Sequence, residues 1–416
     1  MRLWTDRPHP VSLLFELGHS STTQAAPTQG ASDTENNLDG PRLKPSPLRS
    51  MHDKASDHIR LWKPEGSRRI LDDNGLPTNL DEKDLERIQD VIGESYAPQT
   101  RSTYGTGLFI FHVFCDHRNI REEHRAPVDQ TVLASFISTL VGTYGGSTIR
   151  NYVYGIRAWH IIHGIKWEIN DNEIETLLRA GHKQSPKEAR RTAKKPWTLD
   201  YLTKICKGLK RDKPKDAAIL ACLTTAFWGT ARLGEVTVKT ANTFDPTVHV
   251  KVSDVKYGIL DKNNLEMTAI FIPWTKVARE KGEDIFWAKQ EGIIDPESAL
   301  ANHIKINKPP PNAHLFAYKY RKSHRPMVRD SFLQRINEIV IEKGLDKRPG
   351  HGIRVGSTLE YLLRGVPFQV VKAKGRWQSD AFKLYLRNHA QIMAPYMQAV
   401  PGTYKTFVAN AMPPIC

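Results

Sequence analysis

The sequence predicts a mainly α-helical protein of two domains, an all-helical one followed by an α+β one with a small antiparallel sheet. Three observations favour this class. Apolar residues recur at helical spacing over residues 82–181. More helical segments follow from residue 196, and among them three short segments alternate apolar and polar residues as strands do. The 416 residues suffice for two such domains and a tail.

Residues 1–80 are predicted to be a disordered tail, because they are rich in Ser, Thr, Pro, Gly, Asp and Asn and show no sustained apolar period. Their basic and acidic residues balance, so the net charge of +15 lies in the remainder of the chain. A folded part that carries this excess indicates a polyanionic partner such as nucleic acid.

The first domain is predicted over residues 82–181 as a small helical bundle. Ser147 and Thr148 follow a Gly-Gly break and are expected to cap one helix, and Gly181 is expected to end the last one. The predicted helices cover residues 81–96, 100–119, 128–144, 147–164 and 170–181.

A basic connector is predicted over residues 182–195, where charge is dense and no apolar period is present. It is either a solvated linker or a linker that embraces DNA and doubles as a nuclear import signal. The candidate DNA contacts here are Lys183, Arg190, Arg191, Lys194 and Lys195.

The second domain is predicted over residues 196–416. Its strands are predicted at residues 248–255, 267–274 and 283–288. Helices are predicted before and after these strands in the chain, at residues 200–209, 215–236, 298–307, 329–344, 354–365, 367–375 and 379–390.

Three segments of this domain carry candidate chemistry. Arg232 and Glu235 follow an apolar helix, and since a buried arginine needs a partner, an ion pair tying two helices is the simple structural interpretation. His351 and Arg354 stand three residues apart at a predicted helix start, on one face. Farther on, Trp377 precedes Tyr385 by eight residues in a cationic neighbourhood.

Together these segments resemble the tyrosine recombinase (phage-integrase-like) family. Ala-Arg-x-Gly-Glu, His-x-x-Arg, Gly-x-Trp and Tyr stand in that family's order and at its usual separations, over roughly residues 85–400. Within that family, the sequence pattern Trp-x-Ser-Asp-Ala-Phe-x-x-Tyr more closely resembles recombinases of eukaryotic mobile elements, such as Crypton- or DIRS-like transposons. The resemblance implies a helical core-binding domain that clamps DNA and a catalytic domain of the DNA breaking–rejoining type.

The chemistry of strand transfer fits these residues. Tyr385 is the candidate nucleophile, which would form a 3′-phosphotyrosyl intermediate. Arg232 and Arg354 would hold the non-bridging phosphate oxygens, because a guanidinium fork matches phosphate bidentately. His351 would position the phosphate and assist proton transfer, and Trp377 would donate its indole N–H to the same phosphate. The carboxylate Glu235 would orient the arginines.

Two assignments have competitors. The resemblance implies a lysine on a strand-connecting turn as the acid for the leaving group; Lys276 is the best match, and Lys281 on the same loop competes. In many relatives the nucleophile stands nine residues after the His/Trp position, whereas Tyr385 stands eight residues after Trp377. Tyr396 and Tyr404 are therefore alternative nucleophiles.

Neither a metal nor another cofactor is required, because arginines and a lysine supply the charge. His160 and His163 have metal-ligand spacing but lack a third ligand nearby, so they are interpreted as helix-surface histidines. Scattered cysteines favour a reducing compartment. Further DNA contacts, or simple helix caps, are expected at Thr100, Arg101, Ser147, Thr148 and Arg150.

The function predicted from the sequence is that of a site-specific recombinase or integrase of a mobile element, acting on double-stranded DNA. A homotetramer on two DNA sites is expected, in the nucleus if the source is eukaryotic and otherwise in the cytoplasm or nucleoid, without contact to a membrane. Topoisomerase IB-like relaxation and a domesticated, non-catalytic DNA-binding protein are the alternatives.

Overall fold

A computed structural model describes residues 43–70, 75–76, 78–189, 195–275, 278 and 281–378 of the chain. It divides into two compact units, Met1–Thr192 (unit 1) and Ala193–Cys416 (unit 2). The predicted fold class is confirmed, because unit 1 is helical and unit 2 combines helices with small antiparallel sheets. Across the described residues, every helix is too short or too polar to cross a bilayer.

Unit 1 is a helical bundle whose helix starts follow from local capping. Asp81 accepts a hydrogen bond from the Asp84 amide at 2.9 Å, and Asp129 accepts one from the Thr131 amide at 2.7 Å. The helices are α1 (His58–Leu61), α2 (Glu82–Glu94), α3 (Pro98–His117), α4 (Gln130–Leu140), α5 (Gly146–His163) and α6 (Asp171–Lys183).

Two glycines allow α3 and α5 to approach closely in the core of unit 1. A Cβ atom on Gly107 would lie 2.5 Å from Cα of Tyr152, and one on Gly155 would lie 2.5 Å from the carbonyl oxygen of Tyr104. No larger residue fits at either position without moving backbone. The surrounding core includes Phe111, Phe136 and Trp159 among its fully buried side chains.

The predicted disordered tail is wrong for residues 43–70, which belong to the fold of unit 1. Ile59 and Trp62 are 0% and 1% exposed, and Leu43 is also buried. The indole N–H of Trp159 donates to the carbonyl oxygen of Trp62 at 2.6 Å. Because this segment crosses the bundle with only one helical turn, its few apolar residues show no helical period in the sequence.

Unit 2 combines helices with two small antiparallel sheets. The strands β1 (Val255–Leu260), β2 (Glu266–Ile272) and β3 (Glu283–Trp287) pair antiparallel in that order, and β4 (Tyr318–Tyr320) with β5 (Ser323–Arg325) forms a separate hairpin. The helices are α7 (Leu199–Cys206), α8 (Pro214–Trp228), α9 (Pro296–Asn307), α10 (Arg329–Glu342), α11 (His351–Leu363) and α12 (Phe368–Lys374).

The first predicted strand is wrong for most of its length. Residues 248–255 alternate like a strand, but Val252–Asp254 form a 3-10 turn and β1 starts at Val255. Asp254 explains the difference: its carboxylate accepts hydrogen bonds from the Lys251 amide and from the Lys251 ammonium group, which closes a turn. The other two predicted strands overlap β2 and β3.

Two predictions about unit 1 need correction. Helix α6 continues past Gly181 to Lys183, so Lys183 is helical rather than part of a connector. His160 and His163 are fully buried and are not surface histidines. His160 packs inside because Nε2 accepts a hydrogen bond from the Val128 amide at 3.0 Å; burial lowers the pKa of both imidazoles to about 4.

Candidate active site

The segment that carries Arg232 begins where α8 ends. The amide of Ala231 bonds the carbonyl of Ala226, that of Thr230 bonds Phe227, and Thr230 has a φ of +50°. These are the two hydrogen bonds and the left-handed residue of a Schellman motif. The Thr230 hydroxyl lies 2.8 Å from that of Ser357 on α11, which holds the unusual residue in place. The turn directs the chain into the 3-10 turn of Leu233–Glu235.

Helix α12 ends in the same motif. The amide of Arg376 bonds the carbonyl of Ala373, that of Trp377 bonds Lys372, and Arg376 has a φ of +55°. The ring of Trp377 packs with Val371 and lies against Gly375, where a Cβ atom would meet the ring at 1.6 Å. The Gly-x-Trp motif therefore forms the C-terminal cap of a helix.

Arg354 joins these two helix ends. It lies on the first turn of α11, and its guanidinium donates to the carbonyl oxygen of Thr230 at 2.8 Å and to that of Gly375. Its side chain is 2% exposed. A cation beside the carbonyl ends of two helices is favourable, since those ends carry partial negative charge. Arg354 thus brings together the first and third segments that the sequence singled out.

Glu235 is shared between two arginines. One of its oxygens accepts from Arg232 Nη1 at 2.8 Å; the other accepts from the Arg232 amide at 2.7 Å and from Arg376 Nη2 at 2.6 Å. The Glu235 side chain is 6% exposed. Burial pushes its pKa up, but the charge and hydrogen bonds of Arg376 and Arg232 outweigh burial, so the pKa of Glu235 lies below its ordinary value. The carboxylate is therefore ionised at neutral pH.

Arg376 also connects the cluster to the β2–β3 hairpin. Arg376 Nη1 lies 3.6 Å from Oε2 of Glu283, the first residue of β3. That oxygen also accepts a hydrogen bond from the buried hydroxyl of Thr275 at 2.7 Å. Thr275 directly precedes Lys276 in the chain. A continuous line of polar contacts therefore runs from Arg232 to the residue before the candidate acid.

His351 and Trp377 are related to this cluster in different ways, the first by its position on α11 and the second by a contact with Arg354. His351 is the first residue of α11, half-buried and one turn before Arg354, as the sequence predicts. The ring of Trp377 lies over the guanidinium of Arg354, with 4.5 Å between the ring centroid and Cζ. Trp377 thus packs on an arginine; its predicted role as a phosphate donor stays a prediction.

Several predicted site residues lie outside the residues that the structure describes: Lys276, Tyr385, Tyr396, Tyr404, Arg190, Arg191 and Lys194. Lys281, the competitor of Lys276, is exposed before β3. Lys195 forms an exposed ion pair with Asp346, with 2.7 Å between Nζ and Oδ2.

The predicted DNA contacts of unit 1 differ in their surroundings. Ser147 is exposed and Thr148 half-buried within the first turn of α5, whose N-cap is Gly145 and not either of them. Arg150 donates twice to Glu175, at 2.9 Å each. Thr100 and Arg101 are half-buried in the first turn of α3.

The residues that sequence reasoning missed are Arg376, Glu283 and Lys374. A signal for Arg376 was available, since it stands nine residues before Tyr385, the separation typical of the resembled family. Lys374 donates to the Phe286 carbonyl of β3 at 2.7 Å, and burial together with the charge of Arg376 lowers the pKa of Lys374 to about 8. Its pairing with β3 has no signal in the sequence, because it depends on the tertiary fold.

The arrangement concentrates positive charge in a partly enclosed place. Arg232, Arg354 and Arg376 face only two carboxylates, those of Glu235 and Glu283, among the described residues of the cluster. Fixed guanidinium groups in such surroundings stabilise a bound or developing oxyanion without reorganising. The chemistry that suits the cluster is therefore that of a phosphate-type anion.

Comparison with known proteins gives no match to a family model and none to a curated protein. Solved structures with a similar fold include the XerH site-specific recombinase bound to palindromic difH substrate in a post-cleavage complex, 15% identical over 72% of this chain and 80% of that chain, with a TM-score of 0.45. A lambda integrase dimer bound to a COC′ core site is 13% identical over 73% of this chain and 76% of that chain, with a TM-score of 0.46.

The Flpe–Holliday junction complex is 11% identical over 76% of this chain and 82% of that chain, with a TM-score of 0.32. At such identities and TM-scores these likenesses carry no inference of function. An inference of function therefore depends on the side chains of the site.

Proposed function

We propose that the chain is a site-specific DNA recombinase or integrase that cleaves and rejoins strands through Tyr385. One observation carries the proposal: Arg354 ties together the segments of Arg232 and Trp377, and Glu235 binds Arg232 and Arg376 at once. Motifs separated by more than a hundred residues thus meet in one cationic cluster suited to a phosphate. The order of these motifs, which resembles that of tyrosine recombinases, supports the same function.

In the proposed reaction the hydroxyl of Tyr385 attacks a phosphodiester. A bond forms between the phosphorus and the tyrosine oxygen, and the bond from phosphorus to the 5′-oxygen breaks. Arg232 and Arg354 stabilise the charge on the non-bridging oxygens, and His351 takes up the proton that the Tyr385 hydroxyl loses as it attacks. Lys276 gives a proton to the departing 5′-oxygen, and the reverse attack by a 5′-hydroxyl of another strand releases the enzyme. Double-stranded DNA is the substrate, and no cofactor is consumed.

The narrower parts of the proposal depend on the sequence alone. Encoding by a mobile element is suggested by the sequence pattern from Trp377 to Tyr385. A nuclear location follows if that element is eukaryotic. A tetramer on two DNA sites would allow strands to be exchanged in pairs.

One observation favours a second candidate, a DNA-binding protein without catalysis. Arg354 is 2% exposed and donates to two main-chain carbonyls, so in this arrangement it serves the fold. A protein that has kept its fold but lost strand cleavage would keep these contacts. Binding would then be salt-dependent and free of strand breakage.

A trapping experiment separates these functions. Duplexes bound by the full chain are selected from a randomised library, and the selected sequence is rebuilt with a nick that releases the cleaved fragment. The wild type is expected to give a complex resistant to detergent, and Tyr385→Phe is expected to give none. Tyr257→Phe, at a tyrosine that is 53% exposed on β1, is the control and should trap like the wild type.

Other outcomes identify the alternatives. Tight, salt-sensitive binding of the selected duplex without any trapped complex indicates the non-catalytic protein. Relaxation of supercoiled plasmids that lack the selected sequence, without recombinant products, indicates topoisomerase IB-like activity.

A further inference from the structure

Arg376 has a buried guanidinium whose hydrogen-bonding capacity is only partly used. Its side chain is 7% exposed, and Nη2 donates to Glu235 at 2.6 Å. Nε and Nη1 have no hydrogen-bond acceptor among the described residues. Glu283, at 3.6 Å from Nη1, is near enough for an ion pair but too far for a hydrogen bond. Buried arginine donors without acceptors are costly, so they indicate a place where an acceptor binds.

The backbone conformation at Arg376 also indicates that its side chain has a role beyond ending the helix. Its φ of +55° is the left-handed conformation at the position that follows a helix C-cap, where glycine is by far the favoured residue. Arginine is strained there relative to glycine. The helix end itself does not need the guanidinium, because its two capping hydrogen bonds come from main-chain amides.

The charge around Arg376 leaves room for an anion. Glu235 is divided between Arg376 and Arg232, and Glu283 also accepts from Thr275. The guanidinium of Arg354 donates to the carbonyl oxygen of Gly375. An oxyanion that accepts from the Nε–H of Arg376 would satisfy that donor and reduce the positive excess.

We infer that Arg376 is an oxyanion-binding residue of the cluster, whose buried Nε–H donates to an oxygen of a phosphate group. This deepens the proposed function and rests on it for the identity of the phosphate, which would be the phosphodiester under attack. Trp377, by contrast, covers the face of Arg354 and caps α12. Glu235 acts as the positioning residue that aligns the two guanidinium groups of Arg232 and Arg376.

The test uses inorganic phosphate as the probe and the full chain without DNA. Thermal unfolding is followed as phosphate rises, with chloride at equal ionic strength as reference. Arg376→Gly suits the left-handed backbone, so it removes the guanidinium without straining the helix end. The wild type should be stabilised by phosphate; Arg376→Gly should lose at least tenfold in apparent phosphate affinity, and Arg376→Lys, which keeps charge without the fork, should lose less.

A matched arginine controls for the loss of a salt bridge. Arg335 donates to both oxygens of Asp216, at 2.9 and 3.0 Å, and lies on α10 in the same unit. Arg335→Gln should lower stability yet keep the phosphate response. The inference is overturned if the wild type shows no phosphate response, if Arg376→Gly keeps that of the wild type, or if Arg335→Gln loses it equally.

This measurement and the trapping experiment fail independently. Tyr385→Phe should respond to phosphate as the wild type does, because Arg376 holds the anion and the tyrosine only attacks it. A wild type that responds to phosphate through Arg376 but traps no DNA supports the inference and contradicts the proposed function. If the wild type traps DNA and Arg376→Gly keeps the phosphate response of the wild type, the proposed function is supported and the inference about Arg376 is contradicted.

Discussion

At the scale of single residues, Glu235 is the carboxylate that holds the cluster together. Replacing it with Gln leaves Arg376 buried beside Arg232 without a counter-charge on that side. Breaking a buried ion pair in this way costs about 3 kcal/mol. We expect Glu235→Gln to lower the free energy of unfolding by that amount in urea. Glu338→Gln, at a half-exposed partner of Arg335, should cost less than about 1 kcal/mol.

The pH dependence of this stabilisation follows from the lowered pKa of Glu235. A carboxylate whose pKa is depressed by folding stabilises fully above its unfolded pKa, and the stabilisation is lost as pH falls through the folded pKa. We therefore expect the difference between wild type and Glu235→Gln to be constant from neutral pH down to about pH 5, and to shrink below about pH 4. A difference that grows on acidification would contradict the ion-pair account.

Arg354 is the residue whose loss should be felt at two helix ends. Arg354→Met removes both hydrogen bonds and leaves the carbonyls of Thr230 and Gly375 without this donor. Since an unmet buried acceptor costs about 1–3 kcal/mol, we expect a loss of about 2–5 kcal/mol in the free energy of unfolding. Arg354→Lys should recover part of it. Unchanged unfolding of Arg354→Met would show that the helix ends do not depend on it.

Some of these contacts were predictable from the sequence, and others were not, for a physical reason. The Arg232–Glu235 pair is three residues apart, so spacing alone suggested it. Arg376 was missed because its contribution depends on a left-handed backbone at the end of α12, which no side-chain pattern announces. Neither did the sequence suggest that Arg354 would donate to main-chain carbonyls.

At the scale of elements, long helices were predictable and irregular segments were not. Helices α10 and α11 carry apolar residues at helical spacing, and α8 is recognisable as a long, nearly continuous apolar run. Residues 248–255 alternate like a strand, yet the carboxylate of Asp254 competes for the backbone and makes a turn. Residues 43–62 have too little helix for any period, although they pack in the core of unit 1.

This last segment offers a test with adjacent residues. Trp62 is 1% exposed and its neighbour Leu61 is 42% exposed. Truncating a buried tryptophan removes its packing and leaves a cavity, at a cost of about 3–5 kcal/mol. We expect Trp62→Ala to lower the free energy of unfolding by that amount, and Leu61→Ala to change it by about 0.5 kcal/mol or less. Equal effects would contradict the placement of this segment in the core.

At the scale of the whole molecule, each unit has a hydrophobic core of its own. A unit that buries its own apolar residues is able to fold alone. We expect the fragments Met1–Thr192 and Ala193–Cys416 to unfold cooperatively on heating when they are produced separately. A fragment that shows no cooperative transition would mean that its core depends on the other part of the chain.

The net charge of +15 has a more definite meaning once the cluster is known. Only three of the described arginines meet at Glu235 and the two helix ends, so most of the excess is left for binding along a polyanion. Removing one phosphate-contacting arginine lowers the salt dependence of DNA affinity by about one unit of slope. We expect Arg232→Gln to do so in a binding titration, and Arg335→Gln not to.

The central claim is that Tyr385 becomes linked to DNA, and mass spectrometry of the trapped complex tests it directly. Trypsin should release Leu384–Arg387, a peptide whose one tyrosine is Tyr385, while Tyr396 and Tyr404 fall together in residues 388–405. After nuclease digestion, the account predicts a residual nucleotide mass on Leu384–Arg387. A nucleotide on residues 388–405, or no modified peptide from wild-type protein incubated with its selected duplex, would contradict it.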